Sequence, residues 1–112
     1  MLLADTQAGV ATLTLARPER GNALAADLVE ALIVHTQAGL AGAAVHSLVL
    51  RAQGRHFCTG LDLSDLDTST DAELLHRLVR IETLLAMLWM APIRTVAVAQ
   101  GRTWGAGADL FA

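Results

Sequence analysis

The sequence holds a single cysteine, Cys58, so no internal disulfide can form and a reducing compartment, the cytoplasm, is expected. It has no basic stripe. With a net charge of −3 and a pI of about 5.7, nucleic acid and anionic membrane surfaces are not expected as partners. Long apolar runs are also missing: the uncharged stretch from Thr83 to Ile93, bounded by Glu82 and Arg94, is too short to cross a bilayer. The opening MLLADTQ lacks the basic residues and apolar core of a signal peptide. His35, His46, His56 and His76 are widely spaced, with no cysteine or acid at ligand spacing, so no metal site is expected. Repeats and low-complexity linkers are absent too.

What is present fits one domain. The 112 residues are 54% hydrophobic, above the usual ~45–50% for globular chains, so a real core can form. Val10 to Leu15 (VATLTL) alternates apolar residues with threonine and predicts a strand. Leu2 to Ala4 is expected to pair with it through a turn around Asp5 to Gly9. Residues 16 to 22 (ARPERGN) read as a loop, interrupted by Pro18 and Gly21. Leu24, Leu28, Leu32 and His35, flanked by Val29, Ile33 and Thr36, fall on one side of a helix that Gly39 and Gly42 should end.

Ser47 to Arg51 predicts a second strand. Thr70 and Glu73 form a capping box, so a helix should start near Asp71. Its expected apolar face is Leu74, Leu78, Ile81, Leu85 and Leu88, and Pro92 stops it. Thr95 to Ala99 (TVAVA) reads as a fully buried strand, followed by the start of another helix. This order predicts an α/β layer with parallel strands, whose ligands sit at the carboxyl ends of the strands.

Two glycine stretches fall at such ends: Gly60, and residues 101 to 107. A glycine pair opening a helix leaves backbone N–H groups without partners, and Gly60–Leu61 offers another. Two convergent N–H groups can stabilise charge developing on a carbonyl oxygen. The plainer alternative is that these glycines only allow tight turns and close packing. A dinucleotide fingerprint in GAGADL fails, because its third glycine would fall at Leu110.

ARPERGNAL (16–24), GRHFCTGLDL (54–63) and VAVAQGRTWGAGADL (96–110) together resemble the enoyl-CoA hydratase/isomerase, or crotonase, superfamily. The resemblance covers residues 1–112 as the N-terminal part of a single family domain. It implies repeated ββα units, an acyl-CoA thioester substrate with coenzyme A as part of it, no permanently bound cofactor, and a homotrimer or a pair of trimers. It places the two donors on the N–H groups of Leu61, after Gly60, and Ala106, after Gly105. It also sets Asp109 where hydratases commonly carry a glutamate. Ala106 replaces the middle glycine of a triplet, and Ala25 is a poor N-cap at the position after NAL. The second catalytic acid of the family lies beyond Ala112.

Both readings of several residues stand open. Asp109 is a general acid/base or a first-turn acid complementing the helix dipole. Arg17 and Arg20 meet coenzyme A phosphates or belong to a solvated loop. Asp62 and Asp65 read as loop or cap acids, and Cys58 as a small buried filler rather than a nucleophile. Trp104 walls an acyl pocket or packs in the core, the second being the plainer expectation.

The resulting expectation is an enzyme that holds a thioester enolate, most readily a 2-enoyl-CoA hydratase, with double-bond isomerisation next. The rival is a non-catalytic acyl-CoA-binding or assembly module of the same fold. The chain stops about two turns into its last helix, so the 112 residues alone are expected to be inactive and poorly packed.

Overall fold

The computed structural model describes residues 1–64 and 67–112; Asp65 lies outside them. Four strands form one sheet in the order β1 (Leu2–Gln7), β2 (Val10–Leu15), β3 (Ser47–Ala52), β4 (Arg94–Ala97). The β1–β2 pair is an antiparallel hairpin, closed at Ala8 and Gly9, which both have positive φ. That is the backbone a two-residue hairpin turn needs. The β2–β3 and β3–β4 pairs are parallel, joined by crossovers through α1 (Ala26–Ala41) and α2 (Asp71–Trp89). A short α3 (Ala106–Phe111) follows.

The alternation in β2 works as expected: Ala11, Leu13 and Leu15 are buried while their neighbours are half-covered. Leu48 and Leu50 of β3 share that face, and α1 closes it with Leu28, Val29, Leu32 and Ile33. Each such side chain stabilises the fold by ~1.5–3 kcal/mol when fully buried, so this layer is the main core. Gly39 does not end α1. It is buried inside it, where an added Cβ would lie 3.3 Å from Leu48 Cδ1 and 3.5 Å from Ala11 Cβ, so it lets the helix lie close on the sheet. Gly42 does cap the helix, but in an extended rather than a left-handed conformation. His35 turns to solvent and Thr36 takes the buried position.

The capping box of α2 is complete. Thr70 Oγ1 accepts from Glu73 N at 3.1 Å and Glu73 Oε1 accepts from Thr70 N at 3.2 Å. The face of that helix differs from the expected one. Arg77, Ile81 and Leu84 are buried, whereas Leu78 is 49% exposed. Two polar contacts rotate the helix this way: Arg77 reaches inward to a loop, and Arg80 grips Glu30 of α1 through two bonds of 2.7 and 3.0 Å.

β4 also departs from expectation. It ends at Ala97, and Val96 and Val98 are 42% and 52% exposed rather than buried. Among the described residues it pairs only with β3, so its other edge carries no strand.

Candidate active site: two backbone donors at a glycine contact

Beyond the sheet, residues 57–62 run as an extended segment between two others. On one side Thr59 N donates to Gly21 O, Leu24 N to Gly60 O at 2.7 Å, and Asp62 N to Leu24 O at 3.1 Å. On the other, Phe57 N donates to Gln100 O, Cys58 N to Arg102 O, and Trp104 N to Cys58 O. This small second layer links the loop after β2, the loop after β3 and the loop after β4. It brings the two glycine stretches together.

Gly60 sits at the junction with φ +106°, a conformation side-chain-bearing residues rarely adopt. A Cβ there would lie 3.1 Å from Trp104 O and 3.8 Å from Ala106 N. The peptide joining Gly60 to Leu61 is trans and planar, so its C=O and N–H point in opposite directions. Leu24 N holds the carbonyl, which aims the Leu61 N–H away from Leu24. Ala106 opens α3, after Gly105 at φ +54°, and its N–H is one of the helix's orphan donors. Among the described residues, neither the Leu61 nor the Ala106 N–H has a protein acceptor. Gly107, next along, packs against Cys58 so closely that a Cβ would collide with the Cys58 carbonyl oxygen.

The remaining candidates fall around this pair. Asp109 lines an open groove of about 760 Å³ between β4, α2 and α3, with Leu48, Leu85, Glu82 and Trp89; Leu61 and Ala106 do not line it. Arg17 Nη2 meets Asp27 Oδ2 at 3.4 Å. Arg20 Nη1 donates to Ser64 Oγ at 3.1 Å and stands 3.9 Å from Asp62 Oδ2, so it lies beside the Leu61 segment. Asp62 is buried and accepts from Ser64 N at 2.9 Å, the short-range turn of a loop acid. Bonds from the Ser64 backbone and hydroxyl, aided by the Arg20 and Arg77 charges, hold its carboxyl below the usual range.

Cys58 is fully buried, and that burial pushes its thiol pKa up, as befits a filler rather than a nucleophile. Trp104 is not in the core. It is 55% exposed, with the Arg102 guanidinium 4.4 Å from its ring centroid.

One residue that organises the site went unnoticed in the sequence. Asn22 is fully buried with φ +54°. Its Oδ1 accepts from Arg17 N at 2.8 Å, and its Nδ2 donates to Gln53 O and His56 O, both at 2.9 Å. It thus ties the loop after β2 to the start of the Leu61 segment. An asparagine directly after a glycine in a loop was the available signal, because asparagine tolerates the left-handed region.

The profile of the enoyl-CoA hydratase/isomerase family matches residues 5–112. The chain belongs to the enoyl-CoA hydratase/isomerase family. An enoyl-CoA hydratase from Alternaria alternata is 38% identical over 104 residues, covering 93% of this chain and 34% of that protein. A trans-2-decenoyl-[acyl-carrier-protein] isomerase from Streptococcus mutans is 31% identical, covering 97% of this chain and 43% of that one. Among solved structures, one named as an enoyl-CoA hydratase/isomerase from Bordetella parapertussis superposes with a TM-score of 0.95 at 44% identity. It covers 98% of this chain and 46% of that one. The chain therefore spans between a third and a half of the relatives it matches. The sheet and second layer described above are the crotonase fold in that portion.

Proposed function

We propose that the protein acts on an acyl-CoA thioester, with the Leu61 and Ala106 N–H groups holding the thioester oxygen as it becomes enolate-like. The observation that carries this reading is the Gly60 contact: a residue that must be glycine brings one unpaired backbone donor beside another. Such donors stabilise charge that develops in the transition state, and loss of one costs ~3 kcal/mol.

The favoured reaction is hydration of a 2-enoyl-CoA. The oxygen of water bonds to the β-carbon as one of its O–H bonds breaks, the double-bond electrons move toward the thioester oxygen, and on their return the α-carbon takes up a proton, so that water adds across the double bond. Asp109 is assigned to moving a proton. Coenzyme A is part of the substrate, and no permanently bound cofactor is needed. Arg17 and Arg20 are candidates for its phosphates, and Gly60 and Gly105 for close backbone approach to the ligand. Such chemistry fits fatty-acid metabolism in a reducing compartment such as the cytoplasm, where a buried free thiol is stable. No helix among the described residues is long and apolar enough to cross a membrane. Residues 1–112 are taken as part of one crotonase-like domain, in a homotrimer or a pair of trimers.

A second reading, an acyl-CoA-binding module without turnover, draws support from Asp109, whose groove excludes both donors. Isomerisation uses the same donors and stays open beside hydration.

The test is the infrared band of an isotope-labelled thioester carbonyl in a bound saturated acyl-CoA. Wild type should lower its frequency. Leu61→Pro, which lacks the N–H, should abolish the displacement and Leu61→Ala should keep most of it. Equal displacement in folded Leu61→Pro and wild type would sink the donor assignment. Asp109→Asn should then lower enoyl-CoA hydration by ~100-fold or more with binding kept. If turnover is absent in a wild-type protein of the relatives' full length while the band moves, the binding module is the correct reading.

A further inference from the structure

We infer that Arg77 is a positioning residue for the Leu61 donor, acting through the Asp62 carbonyl. The inference rests on the reading of Leu61 as a thioester-oxygen donor.

Arg77 occupies a core position. With Ile81 and Leu84 it forms the buried stripe of α2 at the spacing of one helix face, and it is 5% exposed. A leucine at such a position would be the ordinary choice, and leucines are at hand: Leu75 and Leu78 are 63% and 49% exposed on the same helix. Burying a guanidinium is unfavourable unless good hydrogen bonds satisfy it, so its placement calls for a partner that gains from it. One such partner is main chain. Arg77 Nη1 donates to Asp62 O at 2.9 Å, a bond buried at both ends.

The location of that bond gives it its purpose. The backbone around Leu61 is pinned on both sides of the residue. Upstream, Leu24 N holds Gly60 O. Downstream, Leu24 O holds Asp62 N, and Arg77 holds Asp62 O. Gly60 itself offers little stiffness, because glycine has the widest backbone freedom. Removing the Arg77 bond strands Asp62 O and loosens the peptide after Asp62, so the two Leu24 bonds, to Gly60 O and from Asp62 N, must hold the aim of the Leu61 N–H alone. The charge of Arg77 also helps hold the Asp62 carboxyl below its usual range, and Arg20 approaches that carboxylate at 3.9 Å from the solvent side. The segment after Leu61 is thus gripped by two cations, one from α2 and one from the loop after β2. The start of α2 is fixed in turn by the Thr70–Glu73 capping box, so the helix that carries Arg77 has a defined origin.

A purely structural arginine would change stability and leave the donor's aim intact. A positioning arginine changes the polarisation of a bound thioester. The full chain is therefore loaded with a saturated acyl-CoA carrying an isotope-labelled thioester carbonyl. Its infrared band is compared in wild type, Arg77→Met and Arg77→Lys, with circular dichroism reporting the fold. Affinity for coenzyme A lacking the acyl group is the control. Arg77→Met should lose about half or more of the wild-type band displacement, as expected for a misaimed donor. Its Kd for coenzyme A should change by less than about twofold. Arg77→Lys, which keeps one cationic donor, should recover most of the displacement. Full displacement in Arg77→Met overturns the inference, as does Arg77→Lys behaving no better than Arg77→Met. Failure of both variants to fold also overturns it, making Arg77 a determinant of the fold instead. No displacement in wild type is a different failure: it removes the donor reading of Leu61 itself.

Discussion

Replacing Asn22 with alanine isolates the residue that locks the site loops together. The side chain makes three bonds at 2.8, 2.9 and 2.9 Å and is fully buried. Alanine strands the Arg17 N–H and the Gln53 and His56 carbonyls, and each unsatisfied buried group costs ~1–3 kcal/mol. Arg17 and His56 are half-buried and Gln53 is exposed, so water recovers part of that loss at all three, and the low end of the range applies. Alanine must also hold φ +54°, which adds ~1 kcal/mol. The expected loss is ~4 kcal/mol, a large share of the ~5–15 kcal/mol that holds a typical domain folded. With a urea m-value of ~1–3 kcal/mol/M, the unfolding midpoint should fall by about 2 M. Urea titration followed by far-ultraviolet circular dichroism measures it. Asn22→Gly separates the two contributions, because glycine accepts the left-handed backbone without strain; it should fall short of wild type by less than alanine does. A loss below ~1 kcal/mol for Asn22→Ala would refute the reasoning, since three bonds to a fully buried side chain cannot vanish so cheaply.

Two further outcomes follow from the same loops. Gly107→Ala should destabilise by ~1–3 kcal/mol through overpacking against the Cys58 carbonyl, and should weaken thioester polarisation by moving α3 away from Gly60. Intrinsic helix propensity favours alanine by ~1 kcal/mol, so a stabilised variant would show that this contact is loose. Asp62 makes the fold acid-sensitive. Its folded-state pKa lies below the unfolded value, so its contribution is complete above the ordinary carboxylate pKa and is lost as pH falls through the folded pKa. The stability gap between wild type and Asp62→Asn should therefore narrow from pH 6 to about pH 3; urea midpoints that keep a constant gap would contradict the assignment.

Local signals in the sequence translated well where one residue's own chemistry decides. The Val10–Leu15 strand has the expected bounds and alternation, and the Thr70–Glu73 box starts α2 at Asp71. The three motif blocks that pointed to the family lie side by side as one layer, with Gly60 at Ala106. The misses come from choices made between elements. Periodicity along α2 favoured a leucine face, but the pull of Asp62 O on Arg77 and of Glu30 on Arg80 sets the rotation. The apolar run in β4 implied burial, yet burial needs a covering layer that a strand's own composition does not supply. For Trp104 core packing is the plainer of two expectations, and a stacked Arg102 leaves it half in solvent instead. Asn22 passed as a loop residue because its partners, Gln53 and His56, are remote in sequence.

Because the proposed donors are main-chain atoms, heritable variation reaches them only indirectly. A missense change at Leu61 or Ala106 leaves the N–H in place unless it introduces proline. Side-chain changes there act through packing, because Leu61 and Ala106 both rest half-buried against the core. The positions where a codon change disables the site are instead those that aim the amides: Gly60, whose φ admits few side chains, Asn22, and Gly107 against Cys58. A deep mutational scan scored for thioester activity should therefore show columns at the two donors that are more tolerant than those at Gly60, Asn22 and Gly107.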